Sequence, residues 1–183
     1  AKVVVMSDSN GYIIDEEGID LALVKQIKEV ERLRIKEYAV RRPNATYVDT
    51  PNPWEVKCDI ALPCSTQNDI DTAKAEVLVK NGVIAVGEGA NMPCTNEAEA
   101  YFLEKGVWVG PAKAANAGGV AVSQLEMAQN SQREEWTFDV VDKKLDNIMT
   151  NIFKSCDDAA REYGMTGNYM AGANIAGFLK VAK

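Results

Sequence analysis

The chain has 183 residues and a formal net charge of −7, with 46% hydrophobic and 26% charged residues, an ordinary balance for a globular protein with a core. The negative charge argues against non-specific binding to nucleic acid and to an anionic membrane surface, because both need a basic surface. No apolar run approaches the about 18 residues that a membrane-spanning helix needs, and the first residues lack a signal-peptide cleavage pattern. We therefore expect a cytoplasmic protein.

Cysteine and histidine content bears on metal binding and on catalysis. The chain has no histidine, and its cysteines never form a C-x-x-C pair; they are Cys58, Cys64, Cys94 and Cys156. A structural zinc site needs closely spaced thiolates or imidazoles, so we expect no metal site. Buried, reduced thiols are the expected state of the cysteines. A cysteine–histidine nucleophilic pair is impossible within this chain.

The first 48 residues predict a strand, a long helix and a second strand. The run "KVVVMS" (2–7) is β-branched and ends at "DSNG", which is typical of a buried parallel strand. Residues 20–42 repeat apolar side chains at the helical period among charged ones, which predicts one amphipathic helix of about six turns. Pro43 and Asn44 end that helix, and "ATYV" (45–48) offers a short strand.

Residues 58–111 alternate apolar runs with helical segments. "CDIALPC", "VIAVGEG" and "VWVGP" are the apolar runs, and helices are predicted over 72–82 and 95–106. This alternation favours right-handed parallel crossovers and therefore an α/β fold with a parallel sheet. Such sheets bind ligands beyond the carboxyl ends of their strands. The predicted strand ends are polar or glycine-rich; they lie at residues 7–9, 63–68, 87–93 and 110–116.

After Pro111 the alternation gives way to helices. Residues 139–164 place apolar side chains on one stripe of a long helix, and residues 167–183 predict a last helical segment, broken at Gly167 and Gly172. This change is the one boundary that the sequence indicates. We expect a partial dinucleotide-binding domain over residues 1–112 and a helical segment over residues 113–183.

Two features at predicted strand ends and one arginine near the end of the predicted charged helix have more than one interpretation. Gly87-Glu88-Gly89 is rejected as a phosphate loop because no helix begins directly after it, but it fits a turn that needs close approach of the backbone. Asp8 fits either an acceptor of ribose hydroxyls or an Asx turn. Arg34 fits a solvated helix face better than a phosphate site.

The stretch "GPAKAANAGGVAVSQLEMAQN" (110–130) contains two adjacent glycines where a helix is expected to begin. Each glycine costs a helix interior about 1 kcal/mol relative to alanine. The pair permits close packing or the close approach of a ligand, and Asn116 and Ser123 supply polar groups there. The residues alone leave both interpretations open.

Several stretches, taken together and in order, resemble the hexameric glutamate dehydrogenases of bacteria and fungi. The resemblance rests on "SDSNGYIIDEEG", "DIALPCSTQNDID", "AVGEGANMPCTNEA", "AKAANAGGVAVSQLEMAQNS" and "YMAGANIAGFLKVA" and covers essentially the whole chain. It implies a partial Rossmann-like domain and reversible oxidative deamination of L-glutamate to 2-oxoglutarate and ammonia. It further implies NADP as the cofactor, with NAD as the alternative, and a homohexameric parent protein.

The resemblance also implies roles for individual residues. Ser7, Asp8 and Ser9 match the loop at the adenine ribose, and Arg34 is a candidate for the 2′-phosphate. Thr66, Gln67 and Asn91 match loop positions on the cofactor side, and Asn116 matches an asparagine beside the nicotinamide. Val120 and Ser123 match residues of the glutamate pocket, where the serine hydroxyl reaches the side-chain carboxylate of the substrate.

Parts of the family pattern have no counterpart among these residues. The glycine-rich phosphate loop and the substrate domain, with its catalytic lysines and aspartate, are missing. We therefore assign no catalytic residue and expect the 183 residues alone to be inactive. Two alternatives stay open: a dehydrogenase of branched-chain or aromatic amino acids, and a non-catalytic nucleotide-binding or oligomerisation module.

Overall fold

The structure is a computed structural model that describes residues 1–182. Its contacts divide the chain into two compact units, Ala1–Lys57 and the part from Cys58 onward. Among the described residues, no helix is both long enough and apolar enough to cross a membrane. Each unit has its own sheet of three strands.

The sheet of the first unit is antiparallel. Its strands pair in the order β1 (Val5–Ser7), β2 (Tyr12–Ile14) and β3 (Thr46–Val48). The prediction that the first strand is parallel is therefore wrong. The physical reason is the short turn after it, where Asp8 N donates to Gly11 O at 2.9 Å, because a tight turn returns the chain alongside the strand it left. A β-carbon at Gly11 would overlap the carbonyl oxygen of Val48, so this position needs glycine.

The single long helix predicted over residues 20–42 is also wrong. The segment forms α1 (Leu21–Lys25), a π-helical turn (Gln26–Val30) and α2 (Lys36–Arg41). Arg32 has φ 58°, a left-handed conformation that an α-helix cannot contain. Apolar residues before and after the break still pack into one core, which explains why their spacing looks like that of a continuous helix. The buried residues of this core are Ile13, Ile19, Ile27, Ile35 and Tyr38.

The second unit contains the parallel sheet that the sequence predicts. Its strands and crossover helices are β4 (Ile60–Ala61), α3 (Thr72–Lys80), β5 (Ala85–Gly87), α4 (Asn96–Glu104) and β6 (Trp108–Gly110), with strand order β4-β5-β6. The Asp71 carboxylate accepts from Lys74 N at 3.0 Å, and the Thr95 hydroxyl accepts from Ala98 N at 3.2 Å. These side chains cap α3 and α4, so local signals fix both helix starts.

Four helices follow the parallel sheet: α5 (Ala112–Ala115), α6 (Gly118–Gln132), α7 (Phe138–Glu162) and α8 (Tyr169–Val181). The long amphipathic helix is confirmed as α7. Gly167 precedes α8 with φ 83°, but Gly172 does not break that helix. A β-carbon at Gly172 would overlap the carbonyl oxygen of Cys156, so this glycine lets α8 lie against α7. The domain boundary after residue 112 stays a prediction.

Candidate functional site

In the first unit, a hydroxyl in the loop after β1 accepts a hydrogen bond from a guanidinium in the segment just before α2. Arg34 Nη1 donates to Ser9 Oγ at 2.8 Å, and both side chains are exposed. Ser7 ends β1 beside them and is exposed as well. An exposed guanidinium next to hydroxyl groups is a suitable partner for a phosphate group. The structure therefore places Arg34 with the loop of residues 7–9.

Asp8 forms the Asx turn that was one of its two sequence interpretations. Its Oδ1 accepts from Asn10 N at 3.0 Å, while its Oδ2 accepts from Ile35 N at 3.0 Å and lies 3.4 Å from Lys28 Nζ. Burial alone would raise the pKa of this carboxyl, but the two backbone donors and Lys28 outweigh it and lower the pKa. Both carboxylate oxygens are thus engaged within the chain.

In the second unit, the loops that follow β4 and β5 meet at one edge of the parallel sheet. Thr66 and Gln67 lie in the first loop and Asn91 in the second, and all three side chains are exposed. The loops are joined where Asn68 N donates to Met92 O at 2.9 Å. The structure brings these three predicted residues to the carboxyl edge of the sheet, where parallel α/β sheets bind ligands.

Asn116 belongs to the same edge. It ends α5, and its Nδ2 donates to the carbonyl oxygen of Ala90 at 3.0 Å. This bond connects the turn after β6 and α5 with the loop that holds Asn91. An asparagine amide has two donors and one acceptor, so the contact with Ala90 leaves polar capacity on Asn116 for a ligand.

Val120 and Ser123 lie one turn apart on α6. Val120 is 70% exposed, and the Ser123 hydroxyl donates to the carbonyl oxygen of Gly119 at 3.2 Å. Such a bond to the preceding turn is common for serine in helices. Ser123 must therefore rotate away from Gly119 before it can donate to a substrate carboxylate.

The two adjacent glycines differ in their surroundings. A β-carbon at Gly118 would meet Leu145 Cδ1 at 3.6 Å and Met149 Sδ at 3.8 Å, which are ordinary contacts. At Gly119, apart from the adjoining residues and the backbone of its own helix, no atom of residues 1–182 lies within 4 Å of that position. Packing inside the described part of the chain does not explain the pair, and the open space at Gly119 favours the ligand-approach interpretation.

Sequence reasoning missed Glu88, which lies between two glycines at the end of β5. Its side chain is completely buried; Oε1 accepts from Cys94 N at 3.3 Å and Oε2 accepts from Ala112 N at 2.8 Å. The close approach expected at the neighbouring glycines is present, because a β-carbon at Gly89 would overlap Cys64 Sγ. An acidic residue directly after a buried strand was the available signal.

A second carboxyl group is hydrogen-bonded to Glu88. Burial raises the pKa of Glu99 to about 7, together with the negative charge of Glu88 and the hydrogen bond to it. Two carboxyl groups can share a hydrogen bond only if one of them holds a proton. At pH values below about 7, Glu99 is therefore protonated and donates a hydrogen bond to the buried Glu88 carboxylate.

The cysteines and acidic groups of the described residues form no disulfide and no candidate metal site. All four thiols are free, and burial raises the pKa of Cys58, Cys94 and Cys156, whereas Cys64 is exposed, contrary to the expectation of burial. Within residues 1–182, no cluster of three or more potential metal ligands is present.

A parallel sheet with polar loops at its carboxyl edge, followed by helices, is an architecture in which α/β proteins bind ligands at that edge. The family model for the Glutamate/Leucine/Phenylalanine/Valine dehydrogenases matches residues 1–183. The chain belongs to this family.

Individual relatives are similar over the whole chain. An NADP-specific glutamate dehydrogenase of Helicobacter pylori is 50% identical over 100% of this chain and 42% of its own length. An NAD(P)-specific glutamate dehydrogenase of Xylanibacter ruminicola is 51% identical, again over 100% of this chain and 42% of its own length. The crystal structure of Plasmodium falciparum glutamate dehydrogenase matches with a TM-score of 0.92 and 49% identity, over 99% of this chain and 40% of that chain. The chain thus spans about two-fifths of the length of these relatives.

Proposed function

We propose that the complete protein to which these residues belong is an NADP-dependent glutamate dehydrogenase that interconverts L-glutamate with 2-oxoglutarate and ammonia. Relatives that are about 50% identical across the chain and bear the names NADP-specific and NAD(P)-specific glutamate dehydrogenase support this reaction. We further propose that the sheet of the second unit belongs to a Rossmann-like domain, and that the complete protein is a cytoplasmic homohexamer, as the sequence resemblance implies.

The single observation that carries the preference for NADP is the hydrogen bond between Arg34 and Ser9. The guanidinium is exposed and fixed beside a hydroxyl, an arrangement suited to a ribose 2′-phosphate. Asp8, which would instead accept from a free 2′-hydroxyl, already receives hydrogen bonds on both oxygens. The residues present therefore fit NADP better than NAD, and Ser7, exposed at the end of β1, offers a further hydroxyl for the phosphate.

At the parallel sheet, we assign the nicotinamide half of the cofactor to Thr66, Gln67, Asn91 and Asn116. The bound cofactor supplies the hydride acceptor for glutamate oxidation. The protein residues orient it: Asn116 is held by Ala90 and keeps a donor and an acceptor for the carboxamide. The loop of Thr66 and Gln67 is anchored to the loop of Asn91, which limits the movement of both.

Val120 and Ser123 form the substrate side of the proposal. Their exposed positions one turn apart on α6 allow Val120 to contact the aliphatic part of glutamate while the Ser123 hydroxyl donates to its side-chain carboxylate. That donation requires the hydroxyl to leave Gly119, a single rotation about one bond. We assign no acid or base for catalysis to these 183 residues.

One observation favours a second candidate, a dehydrogenase of apolar amino acids. The Ser123 hydroxyl already has an acceptor in Gly119, and a side chain satisfied in this way adds only Cβ surface to the pocket. The family description includes leucine, phenylalanine and valine dehydrogenases. Substrate preference separates the two candidates.

The test is an assay of the complete gene product. NADPH oxidation is followed with 2-oxoglutarate and ammonium, and then with the 2-oxo acids of leucine and phenylalanine. Turnover of 2-oxoglutarate on the order of 10 per second, an ordinary enzyme rate, supports the proposal. Turnover of only the apolar 2-oxo acids supports the second candidate, and no turnover of any of them contradicts both.

A further inference from the structure

The buried carboxylate of Glu88 connects the two loops that carry Asn91 and Asn116. The N–H of Cys94, bound to Oε1, closes the loop of residues 88–94 that contains Asn91. The N–H of Ala112, bound to Oε2, begins α5, the helix that ends at Asn116. One side chain thus holds the base of both loops.

A closed ring of hydrogen bonds results. Asn116 N donates to Ala112 O at 2.9 Å within α5, and the Asn116 amide returns to the other loop through Ala90 O at 3.0 Å. Glu88 N also donates to Gly110 O at 3.0 Å, so backbone and side chain of Glu88 both contact the strand and turn that precede α5. A displacement of Glu88 would change the separation of the two asparagines.

We propose that Glu88 and Glu99 form a carboxyl–carboxylate pair that positions the two loops bearing Asn91 and Asn116, so that Glu88 is a positioning residue for the nicotinamide end of the cofactor. This inference rests on the proposed function only for the identity of the cofactor. Glu99 reaches Glu88 from α4, and its proton supplies a further hydrogen bond to Glu88 beyond those from the backbone.

Three charged or titratable groups face the pair from the surrounding elements. Lys113 on α5 lowers the pKa of Glu99, while Glu88 raises it. The buried Cys94 thiol is hydrogen-bonded to Glu88, and Asp69 in the loop before α3 adds negative charge near that thiol. Because Glu99 has a pKa of about 7, the pair bears two negative charges above neutral pH, and the repulsion loosens the loops.

The first test detects the shared proton directly. Infrared titration of the complete protein should show a protonated carboxyl band that disappears as the pH rises through about 7, far above the range of an exposed glutamate. Glu99→Gln should abolish the band. Glu97→Gln, at an exposed position on the same helix, is the matched control and should retain it. A band that is missing from the wild type overturns the proposal.

The second test measures the dissociation constant of NADPH by fluorescence titration at about pH 6 and about pH 8.5. Wild type and Glu97→Gln should bind more weakly at the higher pH. Glu99→Gln should bind equally at both, since its amide donates to Glu88 whatever the pH. A purely structural role changes the fraction of protein able to bind and leaves the dissociation constant unchanged.

Glu88→Gln completes the series. Glutamine has one acceptor oxygen, so the variant loses the bond to either Cys94 N or Ala112 N, and we expect about tenfold weaker NADPH binding at both pH values. If Glu88→Gln does not fold, the pH dependence of NADPH binding in Glu99→Gln and Glu97→Gln still tests the positioning role. Equal pH dependence in those two variants, or no NADPH binding by the wild type, contradicts the positioning role.

The outcomes also separate this proposal from the proposed function. The wild type could bind NADPH with the expected pH dependence and yet not turn over 2-oxoglutarate. That result would support the Glu88–Glu99 pair and contradict the proposed reaction. Alternatively, the wild type could turn over 2-oxoglutarate while Glu99→Gln keeps the wild-type pH dependence of NADPH binding. That result would support the proposed reaction and contradict the Glu88–Glu99 pair.

Discussion

Arg34 Nη1 and Ser9 Oγ lie 2.8 Å apart, although 25 residues separate them in the sequence. The contact depends on the break in the helical segment before Arg34, because Arg32 turns the chain with φ 58° and Ile35 N then donates to the Asp8 carboxylate. The guanidinium is thereby fixed beside the turn of β1 and β2. The same break that the sequence did not predict is what brings Arg34 to the proposed phosphate site.

Removing this guanidinium should weaken the binding of NADP but not of NAD. A hydrogen bond to a charged group contributes about 1.5–3 kcal/mol, so Arg34→Ala should raise the KM for NADP by roughly 10- to 150-fold. The KM for NAD should stay near its wild-type value, because NAD lacks the 2′-phosphate. Lys36→Ala, at an exposed position on α2, is the control for loss of charge. Equal changes for both cofactors would reduce Arg34 to a surface charge.

Replacing Ser123 should change substrate preference. Ser123→Val removes the donor proposed for the glutamate carboxylate, so kcat/KM for glutamate should fall about 10- to 150-fold, while kcat/KM for norvaline should hold or rise. Ser131→Val is a matched control, because Ser131 on the same helix also donates to the carbonyl oxygen one turn earlier, at Met127. A glutamate-to-norvaline ratio that is unchanged in Ser123→Val would remove this residue from the pocket.

The contact of α7 with α8 predicts opposite effects at two glycines of one helix. Gly172→Ala places a methyl group against the Cys156 carbonyl and should lower the free energy of unfolding by about 1–3 kcal/mol. At Gly177, apart from the adjoining residues and the backbone of its own helix, no atom of the described residues lies within 4 Å of the β-carbon position. Gly177→Ala should therefore raise the free energy of unfolding by roughly 0.5–1 kcal/mol. Thermal unfolding midpoints measure both, and a destabilised Gly177→Ala would contradict the packing described.

Loss of the Glu99 proton should make the fold less stable at alkaline pH. Its pKa is raised in the folded protein to about 7, so its stabilising contribution is full below the unfolded value of 4.5 and is lost as the pH rises through about 7. Glu99→Gln should therefore unfold at a higher temperature than the wild type at about pH 8.5. At about pH 5 the difference should be smaller or reversed. A difference that does not change with pH would contradict the shared proton.

Local signals explain what the sequence predicted well. The capping residues Asp71 and Thr95 mark the starts of α3 and α4, and the alternation of these helices with short apolar runs indicated the parallel sheet. The long stripe of α7 was equally clear, because a helical period over 25 residues has few alternatives.

Tertiary contacts explain what the sequence did not predict. The direction of β2 relative to β1 follows from a turn that requires Gly11 beneath Val48, and the break at Arg32 carries no glycine or proline signal. Glu88 has its partners 6, 11 and 24 residues further along the chain, at Cys94, Glu99 and Ala112. Its burial became evident only from the packing of the parallel sheet.

The most direct test of the account is the substrate and cofactor preference of the complete gene product in reductive amination. We expect kcat/KM for 2-oxoglutarate, with NADPH and ammonium, to exceed that for the 2-oxo acid of leucine by at least about 10-fold, the least that one lost charge-assisted hydrogen bond costs. NADPH should likewise be preferred over NADH. A protein that prefers the leucine 2-oxo acid, or that uses NADH better than NADPH, would contradict the roles given to Ser123 and Arg34.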